Sequence, residues 1–499
     1  MVAPELSVSR SASDLTADVL VVGATAEGKT PRLHAPNGFE FLSASLSAVG
    51  VTGAVDQLVR VPGTTEFPTV AIIGIGATIS PDALRLAAGS AVRQLAGATS
   101  VAIALPLDDA AALAAVLEGA ALGAYSFTAY KGTSIDSQKV PVARVTVVAD
   151  DALAGGEEAT TLTERALVIA SAVAEVKDLA ATPANDLYPE TLATAAEASV
   201  RDLPIDVTVW DEDALKRDGF GGILGVGQGS SRGPRLVKLA YAPEGAARHL
   251  ALVGKGITFD TGGLSLKPAA SMLGMKDDMT GAATVLAVVR AAAELKLNVR
   301  ITAWLCIAEN MPSGTAIRPG DVLRIKNGTT VEVTNTDAEG RLVMADGLVA
   351  ASAEMPDAIV DVATLTGAAV VALGNRYSGV MGDDAFVAQV LDAAKATGET
   401  MWPMPFAEEL RGLLRSDVAD FVNAKVGNRA GGMLLAGLFL REFIGKTSDE
   451  PDAPSIPWAH LDIAGSGTNG ESAYGFTGTG PTGVAVRSLL RMAEDFSRP

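Results

Sequence analysis

The chain has 499 residues, with 39 Lys and Arg against 58 Asp and Glu, a formal net charge of −19, and a single cysteine. That length suggests two to four domains at about 100–200 residues each, and 48% hydrophobic residues exclude wholesale disorder. One cysteine excludes an internal disulfide, a zinc finger and a multi-cysteine iron–sulfur cluster, and the acidic balance argues against nonspecific nucleic-acid binding, which needs clustered Lys and Arg.

Residues 1–17 carry Glu5, Arg10 and Asp14 among their apolar positions, so no signal-peptide core is visible. No uncharged apolar stretch reaches the about 18 residues of a membrane span; residues 360–374 come nearest, with Asp361 inside. With a lone thiol suited to a reducing compartment, this describes a cytoplasmic protein with no membrane partner. Strands are expected over residues 18–23, 69–74, 100–105 and 142–148, and helices over 81–95 and 109–122. Strands separated by helices predict a parallel or mixed sheet with helices on its faces. Residues 1–160 hold no concentrated catalytic constellation and read as an assembly or regulatory α/β domain.

A long helix is expected over 161–181, ended at Thr182-Pro183 because proline disfavours helix in the residue before it. It makes residues 161–182 a linker and leaves 183–499 as a second, larger domain. There the expected strands lie at 248–253, 299–308, 331–334 and 358–363, with helices at 281–295 and 341–354. Residues 447–457 look like an exposed connector. The fold class is therefore α/β, in two domains, the larger with a mixed central sheet flanked by helices.

Three pieces between Val253 and Leu342 carry chemistry. The first runs from Val253 to Gly263, where a strand is expected to enter a glycine-rich turn bearing Lys255 and Asp260. Nucleotide motifs fail here: Phe259 stands where GxGxxG needs its third glycine, and Lys255 is followed by Gly256 rather than Ser or Thr. The second piece, Lys276-Asp277-Asp278-Met279-Thr280-Gly281, opens a helix; taken alone, its acidic residues read as helix capping. The third is Asn335-Thr336-Asp337-Ala338-Glu339-Gly340-Arg341-Leu342. In an extended chain Asp337 and Glu339 point to one side. Taken alone, an acidic turn neutralised by Arg341 and a metal site are both open.

Together the pieces say more. Asp260, Asp278, Asp337 and Glu339 each fall at or near a strand-to-helix turn, and in α/β sheets the carboxyl ends of the strands share the edge where ligand crevices form. Four carboxylates gathered there would repel unless divalent cations bound them. Four negative charges match two such ions, which points to a two-metal hydrolytic site. Oxygen ligands suit manganese, zinc and magnesium. The only histidines, His34, His249 and His460, lie outside the block, and no HExxH occurs, which excludes a zincin-type peptidase. His249 and His460 are expected to be structural, and Cys306, inside an apolar strand, to be buried.

The run from Asn335 to Leu342 resembles the signature of the leucyl (cytosol) aminopeptidase family, and residues 253–267 and 275–281 fall in the order and spacing of that family. The resemblance extends from about residue 185 to the C-terminus; the N-terminal domain matches only in layout. It implies a metallo-exopeptidase that releases N-terminal residues, Leu and other apolar ones preferred, from peptides. By the resemblance, Asp260, Asp337 and Glu339 hold one metal, and Lys255, Asp260, Asp278 and Glu339 the other. The two divalent ions would be manganese or zinc, with magnesium a further candidate, and Lys255 would have to be neutral. Lys267 and Arg341 become the catalytic residues. The lysine would polarise the scissile carbonyl, and the arginine would hold a bicarbonate that acts as general base on a water between the ions. Met275, Asn335, Thr364, Leu365 and Gly367 match substrate-pocket or anion-site positions, with core packing the other reading of Met275. Homohexamers are the family's assembly. The competing readings are another two-metal hydrolase, such as an esterase or phosphoesterase, and a non-catalytic binding role with a vestigial site.

Overall fold

The computed structural model describes residues 3–27, 30–428 and 430–498. The chain divides into two compact units, Met1–Ala174 with Asn469–Thr479, and Glu175–Thr468 with Gly480–Pro499.

The first unit is built on seven strands: β1 (Glu5–Ser9), β2 (Val19–Glu27), β3 (Thr30–His34), β4 (Leu58–Pro62), β5 (Thr69–Gly76), β6 (Ser100–Ala104) and β7 (Arg144–Val148). They are ordered β1-β7-β6-β2-β5-β4, with β3 paired to β2. The run β1, β7, β6, β2, β5 is parallel, and β3 and β4 are antiparallel additions. Parallel strands covered on both faces become continuous apolar runs, and Leu20, Val21, Val22, Ile72 and Ile73 are buried accordingly. Those runs are what make β2, β5, β6 and β7 readable in the sequence. β1, β3 and β4 give no such run because they are only partly covered. The helices Pro81–Gln94 and Ala110–Gly123 start where Ser80 and Asp109 accept the N–H of Ala83 and Ala112.

The helix Glu157–Ala181 begins one turn before the expected residue 161. Glu157 and Glu158 sit in its first turn, where the helix dipole favours negative charge.

The second unit holds an eight-stranded mixed sheet. Its strands are β8 (Ile205–Trp210), β9 (Arg235–Tyr241), β10 (His249–Asp260), β11 (Arg300–Asn310), β14 (Ala358–Ala363), β15 (Ser378–Gly382), β16 (Met401–Pro403) and β18 (Trp458–Asp462). A separate small sheet contains β12 (Val322–Arg324), β13 (Thr330–Glu332) and β17 (Phe421–Val422). The large sheet runs β16-β15-β18-β14-β10-β11-β9-β8. Its middle four strands, β18, β14, β10 and β11, are parallel, so their carboxyl ends share one edge. Antiparallel β15 and β9 border them.

Helices Thr280–Glu294 and Gly340–Ser352 cover opposite faces of β10. The first packs on the face of Gly254, where an added Cβ would lie 2.5 Å from the Gly281 carbonyl oxygen. The second shares a core with Ala251, Val253 and Ile257. That close approach corrects one expectation. Lys255 and Gly256 are not in a turn: β10 continues through them to Asp260, and Gly254 is small because a helix sits on it, not because the chain bends.

Candidate active site

Strand alternation puts Lys255 on the face of β10 shared with Val253 and Ile257, beneath the start of helix Gly340–Ser352. Gly340 leaves room for it: a Cβ there would lie 2.6 Å from the Lys255 side chain. Asp260 closes β10 after a register irregularity between Ile257 and Asp260. Asp278 ends the short turn Met275–Asp277 before helix Thr280–Glu294. It does not cap that helix by its side chain. Its carboxylate instead accepts from Lys255 Nζ at 2.9 Å and from Thr364 Oγ1 at 2.7 Å. Asp337 and Glu339 lie in a turn rather than an extended segment. Ala338 N–H donates to the Asn335 carbonyl, and Glu339 already has helical φ and ψ. The two carboxylates converge because the chain curls, not by strand alternation.

Asp260, Asp337 and Glu339 each present an oxygen within 4.8 Å of the others. Lys255 Nζ is 2.8 Å from Asp278 Oδ2 and 2.9 Å from Glu339 Oε1. Lys267 Nζ is 2.8 Å from Asp260 Oδ2 and 2.5 Å from Asp337 Oδ1. Lys255, Asp260, Asp278 and Glu339 are at most 5% exposed, whereas the Asp337 side chain is 34% exposed. All twelve residues singled out from the sequence line one cleft of about 870 Å³, including Met275, Asn335, Thr364, Leu365 and Gly367. Met275 is only half-buried, at the wall and not in the core.

Burial raises the carboxyl pKa of Asp260 to about 6, with Glu339 adding to the rise. Burial likewise holds Asp278 well above the usual range and raises Asp337. For Glu339 burial pushes up, but Lys255 and Lys267 together win and lower it. Burial pulls the Lys255 ammonium down, yet Asp278, Glu339 and Asp260 more than reverse this, so without metal it is held charged. Neutral Lys255 is thus a state that only a competing cation among those carboxylates could impose. Burial lowers Arg341 to about 10, which leaves it a cation at neutral pH.

These residues fit a metal. Four carboxylates face two ammonium groups, and Glu339 Oε2 is buried with no hydrogen-bond partner. A buried charged oxygen left unpaired costs far more than an exposed one, and the neighbouring oxygens form the hard donor set that divalent cations take. Arg341 Nη1 donates to the Asn423 carbonyl at 2.8 Å, while its Nε is buried without a partner.

Models of the cytosol aminopeptidase family match residues 174–490 for the catalytic domain and 21–134 for the N-terminal domain. The chain belongs to this family. A probable cytosol aminopeptidase of Clavibacter michiganensis subsp. michiganensis is 61% identical over the full length of both chains. Another, of Streptomyces coelicolor, is 48% identical over 97% of each. Among solved structures, the bottromycin maturation enzyme BotP is similar over 97% of this chain and 100% of its own, at 36% identity and a TM-score of 0.83. Its complex with Mn gives a TM-score of 0.84. Membership in the cytosol aminopeptidase family makes the protein a metal-dependent peptidase that acts on peptides from the amino end.

Sequence reasoning missed the residues that brace the cleft. Asn310, at the end of β11, donates from Nδ2 to Asp260 Oδ1 at 2.8 Å and to the Thr336 carbonyl at 3.0 Å. Asp462, at the end of β18, accepts from Leu365 N–H and Thr366 Oγ1 and so fixes the 364–366 wall. Both could have been found by asking what ends each parallel strand. Asn423, after β17, carries no sequence signal. His249 and His460 have structural partners, Thr302 Oγ1 at 2.9 Å and Asp361 Oδ1 at 2.6 Å, and Cys306 is fully buried.

Proposed function

We propose that this cleft is a two-metal aminopeptidase centre that releases N-terminal residues, Leu and other apolar ones preferred, from peptides. The observation that carries the reading is the cluster of buried Asp260 and Glu339 with half-exposed Asp337, in which one buried Glu339 oxygen has no hydrogen-bond partner. Asp260, Asp337 and Glu339 would hold one divalent ion, and Lys255, Asp260, Asp278 and Glu339 the second. Bound there, manganese or zinc, or magnesium, would polarise the scissile carbonyl and make a water easier to deprotonate.

The rest is the work of the chain. Lys267 is a buried-edge cation that stabilises the oxygen gaining negative charge as the carbonyl carbon becomes tetrahedral. Arg341, with Nη1 anchored and Nε free of partners, holds an anion such as bicarbonate, which takes the proton from the attacking water. Met275, Asn335, Thr364, Leu365 and Gly367 shape the wall that receives the first side chain. Apolar lining such as Met275 and Leu365 favours apolar residues there. A free α-amine would be required because its lone pair would bind one of the two ions, which an acylated nitrogen cannot do.

The same reading makes residues 1–160 an assembly or regulatory domain, 161–182 a linker and 183–499 the catalytic domain, and the assembly a homohexamer. It places the protein in the cytoplasm, supported by the names of its relatives and by the absence, among the described residues, of a helix long and apolar enough to cross a membrane. Leucine anilide tests the function. The protein with Mn²⁺ is expected to hydrolyse it, to lose activity to a chelator, and to leave the N-acetylated anilide intact. Equal turnover of the acetylated compound, or full activity in chelator, would defeat the reading.

A further inference from the structure

Asn423 is fully buried, and its side chain bonds to the chain around the carboxylates, not to the carboxylates themselves. Its backbone N–H donates to the Glu332 carbonyl at 3.0 Å, extending the pairing of β17 with β13. The side chain then spends its whole hydrogen-bonding capacity on the turn that precedes helix Gly340–Ser352. Oδ1 accepts from the N–H of Thr334 at 2.8 Å and of Asn335 at 3.3 Å. Nδ2 donates to the carbonyls of Asn335 at 2.7 Å and Ala338 at 3.3 Å. The Asn423 carbonyl takes the remaining partner, Arg341 Nη1 at 2.8 Å.

The consequence is geometric. Asn335 Oδ1 accepts the N–H of Asp337 at 3.0 Å, so Asn423 holds Asp337 through one intermediary. It holds both ends of the turn, at Thr334 and at Ala338, and therefore fixes where Asp337, between them, emerges. The backbone carbonyl of the same residue receives Arg341 Nη1, so the side chain's grip on the turn and the carbonyl's grip on the guanidinium share one frame. A buried carboxamide offers two donors and two lone pairs in one plane, and no other side chain of that size could satisfy all of these groups. An apolar replacement would take this partner from the half-buried N–H groups of Thr334 and Asn335 and from the Ala338 carbonyl, and would leave the Asn335 carbonyl with Ala338 N–H alone.

We propose that Asn423 is a positioning residue that locks Asp337 and Arg341 into a single frame, so that it governs one of the two metal positions and the anion-holding arginine together. This rests on the two-metal reading above. In that reading Asp337 serves one ion only, whereas Asp260 serves both. Asn310 braces Asp260 and is the natural comparison.

The experiment titrates Mn²⁺ into the metal-free full chain, following free Mn²⁺ by electron paramagnetic resonance, for wild type, Asn423→Ala, Asn423→Ser and Asn310→Ala. Circular dichroism checks the fold of each. Wild type is expected to bind two ions. Asn423→Ala is expected to keep one ion at wild-type affinity and to bind the other about 10–100-fold more weakly, the usual effect of losing a group that orients a ligand. Asn423→Ser keeps one acceptor and is expected to fall between Asn423→Ala and wild type, which keeps the test alive if the alanine variant does not fold. Asn310→Ala is expected to weaken both ions. In peptide hydrolysis the Asn423 variants are expected to lose kcat more than they raise KM, a split that loose packing alone would not produce. Two ions at wild-type affinity in folded Asn423 variants, or equal weakening of both ions, would overturn the proposal and leave the two-metal reading standing. Fewer than two ions in wild type would overturn the two-metal reading itself, and this proposal with it.

Discussion

The two sheets of this protein follow one plan and differ in what ends their strands. In the N-terminal unit the parallel strands β2, β5, β6 and β7 close with Glu27, Gly76, Ala104 and Val148. Glu27 is the only carboxylate among them; its side chain is 55% exposed and 3.4 Å from Arg32. In the C-terminal unit β10, β11 and β18 close with Asp260, Asn310 and Asp462, each buried, and Thr364 follows β14 directly. The architecture supplies a shared edge in both units. Only the second unit sets there buried polar groups that cannot be satisfied by water and must be satisfied by one another or by a ligand. A fold of this class is thus a frame, and the chemistry lies in a few residues at its rim.

The hardest blow to that contrast is Asp260→Asn. It removes the carboxylate that would serve both ions, so affinity for both should fall by more than the about 100-fold expected for losing a mere supporting group, and hydrolysis should vanish with them. Elemental analysis of the purified variant checks this, and two retained ions would contradict it. A milder form comes from pH. Because the Asp260 carboxyl sits at about 6, protons compete with metal below that value, and wild-type affinity should weaken as pH falls through it.

Arg341→Ala comes next. It should lower kcat about 10–10³-fold, in the range seen for removing one donor to a developing charge, while both ions stay bound. Loss of metal would show that Arg341 holds the cluster together instead of handling an anion. Glu27→Gln should do least. An exposed ion pair is worth about 0–1 kcal/mol, so thermal unfolding should barely move and hydrolysis not at all; a large loss of activity would mean that the first sheet takes part in the chemistry.

The sequence was most legible where physics is local. Continuous apolar runs located β2, β5, β10, β11 and β14, and the helices expected from 81 and 109 begin within a residue of those positions, where the structure shows Ser80 and Asp109 as caps. The acidic residues at strand-to-helix turns located the cleft, and every candidate from Lys255 to Gly367 lines it. Legibility failed where the cause is tertiary. Gly254 and Gly256 looked like a turn because the sequence cannot display the helix pressed on β10. Asp337 and Glu339 looked like neighbours on an extended strand because the turn that joins them is braced by Asn423, some ninety positions away in the chain. Half-covered β1, β3 and β4 carry too little apolar alternation to separate from loops.

In the proposed centre, five side chains from three separate stretches of the chain hold two ions. Crystals grown with Mn²⁺ or Zn²⁺ and measured at the metal edge test it directly. Two anomalous peaks per chain are expected, both enclosed by Lys255, Asp260, Asp278, Asp337 and Glu339. No peak there, or a single peak that leaves Lys255 and Asp278 paired with each other, would contradict it.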